Sequence, residues 1–200
     1  METYENKAIM QGIIIRKSIT DKLGSAVIAT TKKGTSKDTN TPCIHFFNDM
    51  KEELKSYNVG DFVYIEGEIQ DYVDKNNKKR QGIAANKIQQ AKSRIEELYG
   101  AKGGSLIDKK NEIRLMGTVL GVQETERVWN IFLRTVSNGR THRIIVKLYK
   151  IHDTQKIGES IKKGDSLCII GTLQTKKQQT KDNNMLFFEN VVAMEVSHLT

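Results

Sequence analysis

The chain has 200 residues, enough for one domain of ordinary size or for two small ones. Hydrophobic residues make up 38% of it and proline occurs once, a composition that excludes a disordered chain, and no run approaches the roughly 18 apolar residues of a membrane span. The formal charge is +8, with 15 Lys and Arg against 12 Asp and Glu in residues 1–92 and 17 against 12 in residues 93–200, so both halves suit a polyanionic partner without identifying one.

The first part of the chain reads as five strands and one helix. Apolar runs bounded by turn residues predict the strands, and a short amphipathic segment predicts the helix. The pair Gly60-Asp61 marks the turn before the fourth strand. The strands are expected near 7–17, 25–32, 42–48, 61–72 and 82–91, with the helix near 50–57.

Residues 92–110 are the predicted linker between two domains. This segment contains a short helical phrase with Ile95 and Leu98 on one side, followed by the helix-breaking pair Gly103-Gly104. The predicted boundaries are therefore 1–91 for an N-terminal domain, 92–110 for the linker and 111–200 for a C-terminal domain.

The second part of the chain repeats the first. GDFVYIEGEIQ (60–70) matches GDSLCIIGTLQ (164–174) at five of eleven positions, and Gly12 aligns with Gly117 at nearly the same offset. An internal duplication follows from this match. The second copy predicts strands near 112–122, 127–136, 141–149, 165–176 and 185–197, with a helix near 153–161.

The shared element order is three strands, a helix and two strands. This order is the plan of the OB-fold, a small Greek-key barrel that binds oligonucleotides on its second and third strands and in its 1–2 and 4–5 loops. The predicted fold class is therefore mainly β, with two tandem five-stranded OB-fold barrels that each carry a short helix between strands 3 and 4.

Three segments resemble the bacterial and phage single-stranded DNA-binding protein family: VYIEGEIQ (63–70), WNIFLRT (129–135) and FFENVVAMEVSHL (187–199). The resemblance implies sequence-tolerant binding of single-stranded DNA in replication or recombination, with Phe47 as a stacking residue. The family usually has one OB domain and an acidic tail for partners, whereas this chain ends EVSHLT. The tandem organisation suggests a phage, plasmid or other mobile-element source.

Strand alternation divides the second and third strands of the second copy into two faces. Trp129, Ile131, Leu133, Ile144, Val146 and Leu148 are expected inside. Asn130, Phe132, Arg134, Arg143, Ile145, Lys147 and Tyr149 are expected outside. Rings that stack on bases beside cations that contact phosphates are what single-strand binding requires. The alternative is that Phe132 and Tyr149 pack against the linker or the other domain.

In the first copy the same parity places Cys43, His45 and Phe47 outward on strand three, and Gln70 and Tyr72 outward on strand four. The 4–5 hairpins (71–82 and 175–184) and the 2–3 loop (32–40) are polar and rich in lysine. The predicted nucleic-acid-binding residues are Phe47, His45, Tyr72, Lys78, Lys79, Arg80, Phe132, Arg134, Arg143, Lys147, Tyr149, Lys176 and Lys177.

No sequence motif predicts catalysis, a cofactor or a metal site. The chain has no phosphate-binding loop, no HExxH helix and no GxSxG elbow, and acidic residues such as Asp61 and Asp165 read as turn residues. His45 has no second metal ligand at useful spacing. Cys43 and Cys168 are expected to be reduced, buried thiols of a cytoplasmic protein, in the bacterial host if the source is a phage.

A different interpretation keeps the fold but changes the ligand. Tandem OB surfaces also serve as protein-interaction modules, scaffolds or inhibitors of replication proteins, with the exposed aromatics as interface anchors. Both interpretations leave room for a homo-oligomer and for replication or recombination proteins as partners. The DNA interpretation also leaves RNA open, and neither involves a membrane.

Overall fold

The computed structural model describes residues 4–31, 39–73, 77, 79–92, 109–179 and 185–199, with the backbone alone at 177–179 and 185–187. The protein is mainly β. The first copy of the repeat contains β1 (Glu5–Ile19), β2 (Gly24–Thr31), β3 (Thr39–Asn40), β4 (Cys43–Phe46), α1 (Asn48–Leu54), β5 (Phe62–Val73) and β6 (Lys79–Gln90). The second contains β7 (Lys110–Glu124), β8 (Val128–Ser137), β9 (Arg140–Tyr149), a 3₁₀ turn (His152–Thr154), α2 (Gln155–Ser160), β10 (Ser166–Gln179) and β11 (Met185–His198).

The chain forms two compact units. The N-terminal unit comprises Ala8–Glu68 and Gly82–Glu112, and the C-terminal unit comprises Met1–Lys7, Ile69–Gln81 and Ile113–Thr200. Two segments of the first copy, its first residues and its β5–β6 hairpin, therefore belong to the unit built around the second copy. The domain boundaries predicted from the sequence stay a prediction.

The strands of the second copy close into a β-barrel. β7 pairs with β8, β8 with β9, β10 with β11 and β10 with β7, all antiparallel, while β9 and β11 pair in parallel. The ring of pairings leaves no edge among these five strands over the paired residues. Its interior is filled by aliphatic side chains with no exposed surface, including Ile131, Leu133, Ile144, Val146 and Leu148.

The strands of the first copy have the same order of pairings. β1 pairs with β2 and β5, β2 pairs with β4, β4 pairs in parallel with β6, and β6 lies beside β5. Met10, Ile14, Ile28, Phe46 and Ile65 are fully buried inside this ring. Alternation along each strand, which the sequence displays, therefore separates the core from the outer faces.

Each copy has the same turn before its fourth strand. Gly60 has a φ of 100° and Gly164 a φ of 97°, a conformation that side chains with a Cβ rarely adopt. The Asp61 carboxylate accepts a hydrogen bond from the Asn58 backbone N–H at 2.7 Å, and Asp165 accepts one from that of Lys162 at 2.8 Å. Asp61 and Asp165 are turn residues, as predicted.

A buried threonine occupies equivalent positions in the two copies. In the N-terminal unit the Thr30 hydroxyl lies 3.0 Å from the Gln11 carbonyl oxygen and 2.6 Å from that of Lys110. In the C-terminal unit the Thr135 hydroxyl lies 3.0 Å from the Met116 carbonyl oxygen and 2.9 Å from that of Glu5. Each hydroxyl therefore contacts its own copy's first strand and the beginning of the other copy's first strand.

Several element ends differ from the sequence prediction. The third strand of the first copy ends at Phe46, because Asn48 takes a left-handed φ of 48° and starts the helix two residues early. Phe47 is therefore the residue before α1 and not a strand residue. β6 begins at Lys79, before the predicted 82, and the short β3 was not predicted. Neither Cys43 nor Cys168 is in a disulfide, and both are half-buried instead of buried as predicted, since both lie on outer faces.

Parts of the prediction fall outside the described residues. They include most of the linker (93–108), most of the 2–3 loop (32–38), Lys78 and the side chain of Lys177. Within the described segments, neither helix has the length or the apolar character needed to cross a membrane.

Candidate nucleic-acid interface

The outer face of the β8–β9 pair gathers the predicted residues of the second copy into cross-strand neighbours. Tyr149 lies opposite Val128, Lys147 opposite Asn130, Ile145 opposite Phe132, and Arg143 opposite Arg134. Opposed residues on one face have Cβ atoms about 5 Å apart. We call Asn130, Phe132, Arg134, Arg143, Ile145, Lys147 and Tyr149 the β8–β9 face.

The alternation predicted for these strands is confirmed. Trp129 is 3% exposed, and the other residues predicted inside are fully buried. Tyr149 is 45% and Ile145 40% exposed, while Phe132 and Lys147 are half-buried. Two rings, an aliphatic side chain and cations thus share one outer surface.

Lys147 is under the electrostatic influence of a second cation. Burial and the positive charge of Lys176 lower the pKa of the Lys147 ammonium below its ordinary value. Two like charges in a partly buried setting repel each other, and a bound anion relieves that repulsion. The charge of Lys176 on β10 therefore acts on Lys147 on β9, a link that the sequence did not show.

Arg134 contacts Tyr4 of the same chain, a contact that the sequence did not predict. The Arg134 guanidinium lies 5.8 Å from the centre of the Tyr4 ring and donates a hydrogen bond to the Tyr4 hydroxyl at 2.9 Å. A tyrosine 130 residues away leaves no periodic signal in the sequence. Arg134 faces outward as predicted, and its role in binding stays a prediction.

The β5–β6 hairpin brings further predicted residues into the C-terminal unit. Tyr72 is 41% exposed and Lys79 is exposed. The Arg80 guanidinium lies 4.4 Å from the centre of the Phe188 ring, and Phe188 pairs with Lys176 across the β10–β11 ladder. Phe188 was not predicted as a site residue, although the aromatic pair at the start of β11 was visible in the sequence.

The first copy presents a different face in the N-terminal unit. His45 lies opposite Ser25, and Cys43 opposite Val27. The rings of His45 and Phe47 are stacked, with centroids 6.4 Å apart and planes 18° from parallel, and Phe47 is 41% exposed. Burial lowers the pKa of His45, which favours the neutral imidazole. Neither β2 nor β4 contains a Lys or Arg, so this face is poorer in cations than the β8–β9 face.

Ser160, His198 and Asp165 form a cluster that resembles a catalytic triad. The Ser160 hydroxyl lies 3.2 Å from His198 Nε2, and His198 Nδ1 lies 3.6 Å from an Asp165 carboxylate oxygen. The Ser160 hydroxyl also donates to the Ile157 carbonyl at 2.8 Å, and the same Asp165 oxygen caps the turn at Lys162. Ser160 is exposed, its hydroxyl donates to a backbone carbonyl, and the Asp165 oxygen accepts from a backbone N–H, so the cluster does not have the geometry of an activated nucleophile. Among the described residues, no group of three His, Cys, Asp or Glu side chains could hold a metal ion.

Comparisons with known proteins support a class of fold, the closed β-barrel of the OB type. No family model matches this chain, and no curated protein matches it by sequence. The wild-type single-stranded DNA-binding protein from Thermus aquaticus matches in structure with a TM-score of 0.68 at 17% identity, over 98% of this chain and 94% of that chain. A deletion mutant of the same protein matches with a TM-score of 0.69 at 17% identity, over 100% of this chain and 97% of that chain.

The resemblance predicted from the sequence is confirmed at the level of the fold. Because each match covers nearly all of both chains, the likeness extends over both copies of the repeat. The segments that carried the prediction, VYIEGEIQ, WNIFLRT and FFENVVAMEVSHL, lie on β5, β8 and β11.

Proposed function

We propose that this protein binds single-stranded DNA without strong sequence preference and acts by binding alone, with no bond chemistry. The β8–β9 face is the observation that carries the proposal. It combines the exposed ring of Tyr149 with the outward cations Arg143 and Lys147. Every base offers a flat π-surface to a ring and every nucleotide a phosphate to a cation, so such a face tolerates any sequence.

The fold and the comparisons support the same proposal. The OB-fold places its oligonucleotide site on the second and third strands, which are β8 and β9 in the second copy. The structures that match this chain are of a protein described as binding single-stranded DNA. In this proposal each copy of the repeat is an OB-fold barrel, and the bound strand is shielded from nucleases and from reannealing during replication or recombination.

Titration with fluorescent dT oligonucleotides of increasing length tests the proposal. Wild-type protein is expected to bind at micromolar concentration or tighter, with affinity rising with length. The double variant Lys147→Ala/Tyr149→Ala is expected to bind at least about 10-fold more weakly, because it removes one cation and one stacking ring. The control Lys156→Ala/Ile151→Ala removes one cation and one large apolar side chain at exposed positions on and before α2, and it is expected to keep wild-type affinity.

Two outcomes contradict the proposal. Absence of dT binding at low salt overturns it and favours the interpretation of the outer faces as protein-binding surfaces. Equal loss of binding in the double variant and its control moves the site away from the β8–β9 face. Competition with rU oligonucleotides of the same lengths then separates DNA from RNA as the preferred ligand.

A further inference from the structure

The hairpin of the first copy is attached to a strand of the second copy through one glutamine. Gln81 Nε2 donates a hydrogen bond to the Ile145 carbonyl oxygen at 3.0 Å, and Gln81 Oε1 accepts one from the Ile145 backbone N–H at 3.0 Å. The side-chain amide thus satisfies both backbone groups of one residue, as a neighbouring strand would. All of these atoms belong to the C-terminal unit.

The edge of β9 is open at this point because β11 turns away from it. β11 pairs with β9 at Val191 and Val192, opposite Val146 and Lys147. Before Val191 the chain leaves β9, and Phe188 pairs with Lys176 on β10. Gln81 therefore fills the position beside Ile145 that the preceding residues of β11 do not occupy.

Asp71, on the other strand of the hairpin, makes a second and longer contact with β9. A carboxylate oxygen of Asp71 lies 3.5 Å from the Arg143 backbone nitrogen and 3.7 Å from His142 Nδ1. Two points of contact, one from each strand, fix the hairpin along β9 better than one would. The hairpin is consequently held against the barrel of the second copy.

This attachment determines where Arg80 lies. Arg80 precedes Gln81, and its guanidinium stacks 4.4 Å from the centre of the Phe188 ring, opposite Lys176 in the β10–β11 ladder. Arg80 and Lys176 are therefore placed at one aromatic ring, by the Arg80–Phe188 contact and by the register of the β10–β11 ladder. Lys147 lies on β9 two residues after Ile145 and on the same face, and Ile145 is the residue that holds the side chain of Gln81. The pKa of Lys147 is lowered by burial and, to a smaller extent, by the positive charge of Lys176.

We propose that Arg80, Lys147 and Lys176 form one phosphate-binding site on the single-stranded DNA track, with Arg80 supplied by the first copy of the repeat to the barrel of the second. Gln81 is the positioning residue that holds Arg80 there. The site rests on the proposed function and deepens it, because the binding surface of the second copy is incomplete without the hairpin of the first. A guanidinium and two ammonium groups match the charge and the hydrogen-bond acceptors of a phosphodiester.

The contact of Gln81 is tested without DNA by hydrogen exchange of the Ile145 amide. Gln81→Ala is expected to speed the exchange of this amide at least about 10-fold while the buried amides of Val146 and Leu148 keep their protection. Gln90→Ala, the same substitution at an exposed position on the same strand, is expected to leave Ile145 unchanged. Equal exchange of Ile145 in wild type and Gln81→Ala would overturn the positioning role.

The phosphate site is tested by dT binding over a range of salt. Arg80→Ala, Lys147→Ala and Lys176→Ala are each expected to lower affinity about fivefold near 0.1 M salt and to make the slope of log affinity against log salt shallower by about 0.7. Lys156→Ala is expected to change neither. Gln81→Ala is expected to lower the affinity and the salt slope as much as Arg80→Ala does. The double variant Arg80→Ala/Gln81→Ala is expected to bind no more weakly than Arg80→Ala alone.

The outcomes separate the two proposals. Wild-type binding of dT with unchanged affinity and slope in Arg80→Ala overturns the shared site while the proposed function stands. If the losses of affinity in Arg80→Ala and Gln81→Ala add in the double variant Arg80→Ala/Gln81→Ala, the positioning role of Gln81 is overturned. Absence of wild-type binding overturns the proposed function, and the shared site falls with it.

Discussion

Under the proposed function, the exposed ring of Tyr149 is expected to stack on a base. Tyr149 ends β9, is 45% exposed, and lies on the same face as Lys147. Tyr149→Ala is expected to weaken dT binding by about 5-fold to 150-fold, the equivalent of about 1–3 kcal/mol for one stacked base. Tyr149→Phe keeps the ring and is expected to bind like wild type. Fluorescence titration measures all three proteins, and equal affinity of Tyr149→Ala and wild type would remove Tyr149 from the interface.

The lowered pKa of His45 is expected to make the stability of the fold depend on pH. Burial lowers the pKa of its imidazole in the folded protein, so the unfolded chain takes up the proton first as the pH falls. Its contribution to stability is complete above the ordinary pKa of about 6.5 and declines as the pH falls toward the lowered folded pKa. Between about pH 8 and about pH 5.5, wild type is expected to lose more unfolding free energy than His45→Gln in urea titrations.

The control for this pH effect is His152→Gln, which changes a fully exposed histidine. It is expected to lose as much unfolding free energy as wild type over the same pH range. An equal pH dependence in His45→Gln and wild type would show that proton uptake by other groups accounts for the whole effect.

Sequence reasoning succeeded at residues whose environment depends on strand parity. The alternation in HRIIVKLYK predicted that Ile144, Val146 and Leu148 are buried, which the structure confirms. It failed for contacts between distant segments. Neither the hydrogen bond between Arg134 and Tyr4 nor that between Gln81 and Ile145 follows from a sequence pattern. Each joins residues far apart in the chain through a single side chain.

At the scale of single elements, a glycine allows β7 to lie close to β8. A Cβ added at Gly117 would collide with the carbonyl oxygen of Arg134. Gly117→Ala is therefore expected to lower the free energy of unfolding by about 1–3 kcal/mol, because the strands must separate to admit the methyl group. Urea unfolding measures the change.

Gly121 provides the control on the same strand. A Cβ there would meet nothing within 4 Å, so Gly121→Ala is expected to be close to neutral. Equal destabilisation by the two substitutions would assign the effect to the flexibility of glycine and not to the approach of Arg134. Gly12 aligns with Gly117 in the repeat and approaches Ala29 in the same way, so this part of the fold was visible in the duplicated sequence.

Element boundaries were predicted less well than element order. The sequence predicted a third strand that continues to residue 48, because CIHFFND keeps its apolar character through Phe47. The left-handed conformation of Asn48 ends the strand sooner, and apolar periodicity carries no information about such a backbone reversal. Phe47 remains exposed on the outer side of the barrel, so its predicted orientation survives this difference.

For the whole molecule, the proposed phosphate contacts predict a strong dependence of binding on salt. If about five phosphates are neutralised, log affinity is expected to fall with log salt at a slope near −3.5, using about −0.7 for each contact with a single strand. Titration of dT oligonucleotides at increasing salt measures the slope. A flat response would contradict binding through phosphates and leave stacking alone to hold the strand.

The duplication predicted most of the architecture. The match at 60–70 and 164–174 gave the same strand order to both halves, and the structure places those segments at the turns and strands expected. The grouping of Ile69–Gln81 with the second copy was not predictable. A repeat in sequence shows that two units are alike, but it does not show which segments of one unit the other contacts.

The reciprocal contacts of Thr30 and Thr135 bear on how such a chain evolves. Each hydroxyl contacts a carbonyl at the beginning of the opposite repeat's first strand. If one half were lost, the threonine of the other half would no longer have that carbonyl acceptor. The remaining barrel would also lose the segment that the missing half supplies to it. The two halves are therefore expected to be retained together during evolution, because loss of either one removes a hydrogen-bond acceptor from the other.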